Sequence, residues 1–385
     1  MFWGEIMKIL FIRANPVKPD SRVEKEVTCL HNHGYEVSVL GWDRNDDYPL
    51  RSEPLNDNLS DVTAYRVGIK ASFGSGMKNF RYLLKFQHEI RKFLKKNRYD
   101  VVHACDFDTA FTAFHSINHK RTRFVYDIFD YYADAFAIPS FMRKPVIALD
   151  RKLINEADID IICTEQRREQ IAGTEPRKLI VIHNCPPTTL VDVSKGSSIK
   201  GEAVKVAYFG ILSASRLIKE MVEVVSEDQH YELHIGGFGV LEEYVKEAAA
   251  HHPNIIFYGT VPYRKVLETE NDCDILTAIY DPTVRNHYYA APNKFYEALM
   301  LGKPVIMAKN TGMSDVVEKN NIGATIEFSE SGFRDGLNAL TRRKNEWPQI
   351  SSRMIQLYNE QYSWEEMEKR LISAYETLEH GGSND

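Results

Sequence analysis

The sequence predicts an α/β protein built as two doubly wound, Rossmann-like domains facing each other across a cleft. Three observations lead there. Short runs rich in Val and Ile alternate with helical stretches, the alternation stops once and then restarts, and 385 residues is long for one hydrophobic core.

"MKILFI" reads as the first strand, Ser21 to His33 as a helix stopped by Gly34, and "YEVSVLGW" as the second strand. "YDVVHAC", "RTRFVYDIF", "IDIICT" and "KLIVIHN" continue the rhythm, which implies a mostly parallel sheet covered on both faces. Pro186 to Ala203, "PPTTLVDVSKGSSIKGEA", has no periodicity and reads as a linker or loop. "VKVAYFG", "YELHIGGFG", "NIIFYGT", "DILTAIY", "KPVIMA" and "GATIEF" then form a second set of strands. The expected division is 1–188 for the first domain, 189–203 for the linker and 204–361 for the second domain. The cleft between the domains is the expected ligand site.

Composition narrows the function. With 43% hydrophobic and 26% charged residues the chain is an ordinary globular protein. No run of about 18 apolar residues is present, and "MFWGEIMKILFI" reads as a first strand rather than a signal peptide. Cys29, Cys105, Cys163, Cys185 and Cys273 are scattered singly, which favours reduced thiols in the cytoplasm and argues against a zinc site. A net charge of −6 excludes a generally basic nucleic-acid binder and leaves room for a local basic face. "FIRANPVKPDSR" lacks the Gly-x-Gly-x-x-Gly that a dinucleotide-binding oxidoreductase carries after its first strand.

The stretch richest in chemistry is "YYAAPNKFYEALMLGKPVIMAKNTGMSDVVEKNNIGATI", Tyr288 to Ile326. Pro292 and Asn293 start a helix, Ala298, Leu299 and Met300 form its buried side, and Gly302 stops it. Lys294 and Glu297 are expected on its first turn, at the helix end that opens toward ligands in such folds. A carboxylate there can accept hydrogen bonds from sugar hydroxyls and a Lys can meet phosphate. Equally, Glu297 can complement the helix dipole and Lys294 be solvated.

At these residues the chain resembles a known family. "VAYFGILSASRLIKEMVEVV", "LHIGGFG", "IIFYGTVPYRKV", "CDILTAIYDP", "APNKFYEALMLGKPVI" and "YSWEEMEKRLISAY" are similar, in this order, to the retaining family 4 glycosyltransferases of the GT-B fold. "YDVVHACDFDT", "FVYDIFDYYADAF" and "DIDIICTEQRREQI" look like the acceptor domain of the same family, particularly of members that build bacterial surface polysaccharides. The resemblance implies that 362–385 carries a final helix crossing back to the first domain, followed by a short tail.

It also implies a site. Gly210, Arg216 and, one turn later, Lys219 match the loop and basic residues that hold the donor diphosphate, with Lys294 available to help, and Arg216 would stabilise the charge that develops on the leaving group. Ile211 stands where an Arg often follows the first Gly, and Leu217 where a Gly is usual. Glu297 matches the carboxylate that holds the nucleotide ribose. Eight residues upstream the family's other Glu is Tyr289, so Tyr289 and the backbone N–H groups of Ala290 and Ala291 are expected to face the donor sugar. Gly236, Gly237 and Gly239 fit either a loop that lets base or ribose approach the backbone or a plain strand-to-helix turn.

In the first domain His103, Asp106, Asp108, Asp127 and Asp130 follow apolar strands and are expected near one rim. Phe129 replaces a His that family members often carry. That moves acceptor recognition to Asp130 or Asp106, either of which could orient or deprotonate the attacking hydroxyl, though acids at strand ends also serve as caps. His103 reads as an interior histidine. From Lys78 to Arg98 there are eight Lys or Arg and one acid, Glu89. Phe80, Leu83, Phe86, Ile90, Phe93 and Leu94 make an apolar stripe opposite Arg81, Lys85, Lys92, Lys95 and Lys96, which can be a solvated face or one that meets anionic lipid. "FAIPSFMRKPVIAL", Phe136 to Leu149, can add to such an interface or simply enter a helix.

The resemblance implies a metal-independent retaining transferase without a cofactor. Its donor would be a UDP-sugar or GDP-sugar and its acceptor a glycan or lipid-linked oligosaccharide of cell-surface polysaccharide synthesis. Such an enzyme would be cytoplasmic and peripheral on the inner face of the cell membrane. A UDP-sugar epimerase of the same architecture and a non-catalytic partner subunit are the alternatives.

Overall fold

A computed structural model describes residues 6–72, 79–136, 138–188 and 203–380. Lys78 and almost all of the expected linker lie outside the described residues. The chain divides into two compact units, Met1–Ile182 with Glu368–Asp385, and His183–Met367.

In the first unit the chain runs β1 (Lys8–Arg13), α1 (Ser21–Asn32), β2 (Glu36–Asp43), β3 (Tyr48–Pro54), β4 (Thr63–Gly68), α2 (Phe80–Lys96), β5 (Val101–Cys105), α3 (Phe107–Phe114), β6 (Arg123–Ile128), α4 (Tyr132–Ala135), α5 (Ser140–Glu156), β7 (Ile159–Ile162) and β8 (Leu179–Val181). The strands form one sheet in the order β3-β4-β2-β1-β5-β6-β7-β8. All pairings are parallel except β3 with β4. Central strands are buried on both faces, which is why they read as continuous apolar runs; β5 is buried at all five positions. β3, "YPLRSEP", is exposed nearly throughout, as an edge strand can be, and its sequence carried no apolar signal. Asp20 caps α1 by accepting the Val23 N–H at 3.3 Å, worth about 1 kcal/mol in such positions.

The second unit runs β9 (Val204–Ile211), α6 (Ile218–Ser226), β10 (Tyr231–Phe238), α7 (Glu242–His251), β11 (Ile255–Phe257), α8 (Tyr263–Asn271), β12 (Ile275–Thr277), α9 (Arg285–Tyr288), α10 (Asn293–Leu301), β13 (Val305–Ala308), α11 (Ser314–Asn320), β14 (Gly323–Ile326), α12 (Glu330–Arg342) and α13 (Trp347–Leu357). Its all-parallel sheet has the order β11-β10-β9-β12-β13-β14. The order reverses between β9 and β12, and in the first unit between β1 and β5. Such reversal points leave a crevice beyond the carboxyl ends of the strands.

The last helix, α14 (Trp364–His380), contributes its residues from Glu368 onward to the first unit. There the Tyr375 hydroxyl meets His103 Nδ1 at 2.7 Å, and Lys178 reaches the Thr377 hydroxyl at 3.1 Å. Met367, Leu371 and Tyr375 are fully buried and Trp364 nearly so, at the spacing of three and four that makes one apolar face. Among the described residues no helix is long and apolar enough to cross a membrane.

Candidate active site

In the second unit several predicted residues meet at the reversal between β9 and β12. β9 ends at Gly210 and Ile211, and β10 ends beside it, with Gly237 registered against Gly210. Gly237 has φ +130°, and a β-carbon there would run into the Gly210 carbonyl, so this close strand approach requires glycine. Gly210, at φ +153°, has Lys294 directly over it: a β-carbon would stand 2.7 Å from the Lys294 Nζ. Gly239 is packed against Leu212. These glycines let backbone approach backbone and let one lysine approach the strand end.

α10 delivers Lys294 and Glu297. It begins after Pro292 and ends at Gly302 in the left-handed conformation, at φ 63°, and every residue from Phe295 to Leu301 is buried. Glu297 falls on the second turn and not the first, because the helix begins at Asn293. It is 3% exposed and accepts a hydrogen bond from Tyr263 of α8 at 2.8 Å. Dipole complementation by a solvated first-turn Glu does not describe this residue. Close by, Glu270 of α8 is buried with one carboxylate oxygen lacking any hydrogen-bond partner. Burial first, and then the charge of Glu297, hold the Glu270 carboxyl well above the usual range against the pull of Lys294.

Half-buried Lys294 has its ammonium 5.1 Å from the centre of the Tyr208 ring. Burial depresses its pKa, but Tyr208, Tyr280, Glu297 and Glu270 outweigh that and raise it, so the ammonium stays charged. Arg216 ends a short 3-10 turn, Ala214–Arg216, after β9. Its guanidinium stacks 3.6 Å from the Tyr280 ring centre and donates to His287 Nε2 at 3.0 Å. The other His287 nitrogen is 2.9 Å from the Asp281 carbonyl, which it can only reach as a donor, so the imidazole is neutral with its proton on Nδ1. Two cations with fixed directions and a buried carboxylate therefore share one crevice.

Other expected residues are placed differently. Lys219, exposed on α6, points to Tyr244 of α7 at 5.6 Å, and among the described residues no hydrogen bond or ring contact joins it to Arg216 or Lys294. The Ala290 N–H donates to the His287 carbonyl at 3.2 Å. The Ala291 N–H has no backbone partner among the described residues. Tyr289 is half-buried at the end of α9, with its ring packed edge-on against Tyr288 at 4.8 Å. Ile211, Phe238 and Val240 expose apolar side chains at the ends of β9 and β10. Tyr208, Tyr263, Glu270, Tyr280 and His287 were not singled out from sequence. Tyr208 and Tyr280 lie in or just after strands read from the sequence, Tyr263 and Glu270 on α8 and His287 on α9, and nothing in their spacing marks them.

In the first unit, side chains at the corresponding reversal, between β1 and β5, bind one another. Arg13, the last residue of β1, is ion-paired with Asp106 just after β5. The other Asp106 oxygen accepts the N–H groups of Phe129 at 3.0 Å and Asp130 at 3.2 Å. Asp106 thus ties the ends of three strands together, the contacts that a cap makes. Phe129 lies between the guanidinium groups of Arg13, 4.1 Å from its centre, and Arg22, 4.6 Å away. Asp130 is more open: its side chain is 46% exposed and accepts from the buried Arg167 at 2.9 Å.

His103 and Asp127 lie inside β5 and β6, not at the rim. Asp127 is ion-paired with Arg22 at 2.8 Å, and His103 stacks on Phe11 with ring centres 4.0 Å apart. Ligand atoms of His103, Cys105 and Asp127 come within 4.8 Å of one another, but Arg22 already donates to both oxygens of Asp127, so a cation would have to displace a guanidinium. Asp108 is half-buried on α3 with one buried, unpartnered oxygen; burial, then the charge of Asp106, push it up to about 7.

Known proteins agree with this architecture. The sequence profile described as Glycosyltransferase Family 4 matches residues 22–189, and that described as Glycosyl transferases group 1 matches residues 206–343. No curated protein sequence matches the chain. Among solved structures it is similar to a sucrose-phosphate synthase from Thermosynechococcus elongatus, with TM-score 0.74 and 13% identity over 97% of this chain and 100% of that one. It is also similar to HepE of Anabaena in complex with UDP, with TM-score 0.68 and 16% identity over 96% and 100%. The lipopolysaccharide outer core galactosyltransferase WaaB in its apo form gives TM-score 0.66 and 17% identity over 96% and 99%.

Proposed function

We infer, for a chain that belongs to the family 4-type glycosyltransferases of the GT-B fold and uses a nucleoside diphosphate sugar donor, that it transfers the sugar with retention to a lipid-linked glycan of cell-surface polysaccharide synthesis. The observation that carries the donor half is the convergence of Glu297, Lys294 and Arg216 on the crevice beyond Gly210. Glu297, oriented by Tyr263, would accept the two ribose hydroxyls. Arg216 and Lys294 would take the diphosphate, whose charge grows as the glycosidic bond breaks. Solved relatives bound to UDP and UDP-glucose support a uridine nucleotide over a guanosine one.

In the reaction the acceptor oxygen bonds to the anomeric carbon as the bond from that carbon to the phosphate oxygen breaks. The acceptor proton passes to the departing diphosphate on the same face. No protein nucleophile is needed, and the acids of the first unit fit that requirement: Asp106 is engaged as a cap, and Asp130 is left to orient the acceptor. The basic outer side of α2, with Arg81, Lys85, Lys92, Lys95 and Lys96 all exposed, would hold the protein at an anionic bilayer. Phe80 is exposed with them and does not join the buried stripe of Phe86, Ile90 and Phe93.

Proton NMR of slow hydrolysis of α-linked UDP-glucose or UDP-galactose tests the reading. Retention releases the α-anomer first, before mutarotation. First appearance of the β-anomer would contradict it, and an epimerised sugar nucleotide would point to an epimerase instead.

A further inference from the structure

Between α2 and the edge pair β3 and β4 runs a groove of about 700 Å³. Its floor is apolar, with Val67, Ile69 and Phe93, and two leucines face it from opposite walls, Leu50 of β3 and Leu84 of α2. These leucines are 44% and 47% exposed, unusual for two large apolar residues lining one groove. The α2 wall is cationic: Arg81, Lys85, Lys92 and Lys96 line it, and Glu89 is the one acid among the lining residues, already tied to Lys92 at 3.2 Å. From Arg81 to Lys96 the helix measures about 22 Å, enough for an extended hydrocarbon chain. Arg81 and Lys85 lie one turn apart beside Gly68, at the carboxyl end of β4, on the same rim as Arg13 and Asp130.

We propose that this groove binds the single apolar chain of a phosphorylated lipid, with its phosphate at Arg81 and Lys85 and its chain over Leu84, Leu50 and Phe93. A flat headgroup surface would need the cations alone and gives no reason for a leucine-walled channel. A free anion would need no apolar floor. The combination of an apolar trough and a cationic wall matches a molecule that carries both. The proposal rests on the lipid-linked acceptor reading and gives that lipid a seat.

The test is calorimetric titration of the full chain with dodecyl phosphate below its micelle concentration, beside inorganic phosphate, dodecanol and phosphatidylglycerol vesicles. One saturable site for dodecyl phosphate is expected. Affinity should fall at least tenfold in Leu50→Gln/Leu84→Gln, a variant that changes no charge and two exposed positions. UDP binding by that variant should equal wild type, which confirms folding. Unchanged dodecyl phosphate affinity in the variant, equal affinity for inorganic phosphate, or binding to vesicles alone would overturn the groove. Saturable dodecyl phosphate binding by a wild-type protein that binds no nucleotide sugar would support the groove and remove the donor assignment.

Discussion

The Lys294 ammonium lies over the α-carbon of Gly210, so close that a β-carbon at position 210 would come within 2.7 Å of it. Two residues 84 positions apart in the chain are therefore coupled by the absence of one side chain. Gly210→Ala should push Lys294 out of the crevice. Titration should show UDP binding weakened about tenfold, the loss of one charge-assisted contact, with uridine little affected. Equal UDP affinity in the variant and the wild type would separate Lys294 from the diphosphate.

The hydrogen bond from Tyr263 to Glu297 makes a second, smaller prediction. Tyr263→Phe keeps the ring and removes only the donor, so UDP and uridine should both weaken by about 0.5–1.5 kcal/mol. Glu297→Ala removes the proposed ribose ligand itself and should cost about 1.5–3 kcal/mol for each hydrogen bond lost. A larger effect from Tyr263→Phe than from Glu297→Ala would reverse the assigned order of contact.

His287 accepts from Arg216 and donates to the Asp281 carbonyl, which fixes the guanidinium against Tyr280. His287→Ala should leave Arg216 in place but looser. The ratio of UDP to uridine affinity should then fall several-fold while thermal stability changes little. A variant with the wild-type ratio would show that Tyr280 alone positions Arg216.

The first unit carries two buried acids that make its stability fall with rising pH. Asp160 of β7 is fully buried with neither carboxylate oxygen hydrogen-bonded, and Asp150 of α5 is bonded only on one side, by the Tyr126 hydroxyl at 2.8 Å. Burial pushes Asp150 up to about 7 and holds Asp160 well above the usual range, with the charge of Asp150 adding to it. A carboxyl with a raised folded-state pKa binds its proton more tightly when folded. Its contribution is full below about pH 4 and is lost as pH rises through the folded value. Asp160→Asn should therefore raise the thermal midpoint at pH 8 by several degrees and change it little at pH 4.5. An equal effect at both pH values would assign the change to packing rather than ionisation.

How much of this was legible depends on what each residue contributes to pattern. The central strands were readable because burial on both faces forces unbroken apolar runs, as in "VVHAC" and "VIMA". β3 was not, because an exposed edge strand needs no apolar side chain. Glu297 was found because it lies in a recognisable segment, although its turn of the helix was misjudged. Asp106 reads as a possible base or a cap because an acid after a strand looks the same in either role, and the two N–H groups and Arg13 upon it are contacts that no spacing announces. Tyr280 and His287 act on Arg216 through contacts made 64 and 71 residues away in sequence, which no local spacing announces.

The most direct test of the central claim, that the crevice beyond β9 holds a nucleoside diphosphate by both its ribose and its phosphates, is one calorimetric comparison. UDP and uridine are titrated into the wild type, Glu297→Ala and Arg216→Ala. The account predicts that Glu297→Ala weakens both ligands alike, while Arg216→Ala weakens UDP tenfold or more and leaves uridine unchanged. Parallel losses of both ligands in Arg216→Ala, or no loss in Glu297→Ala, would contradict it.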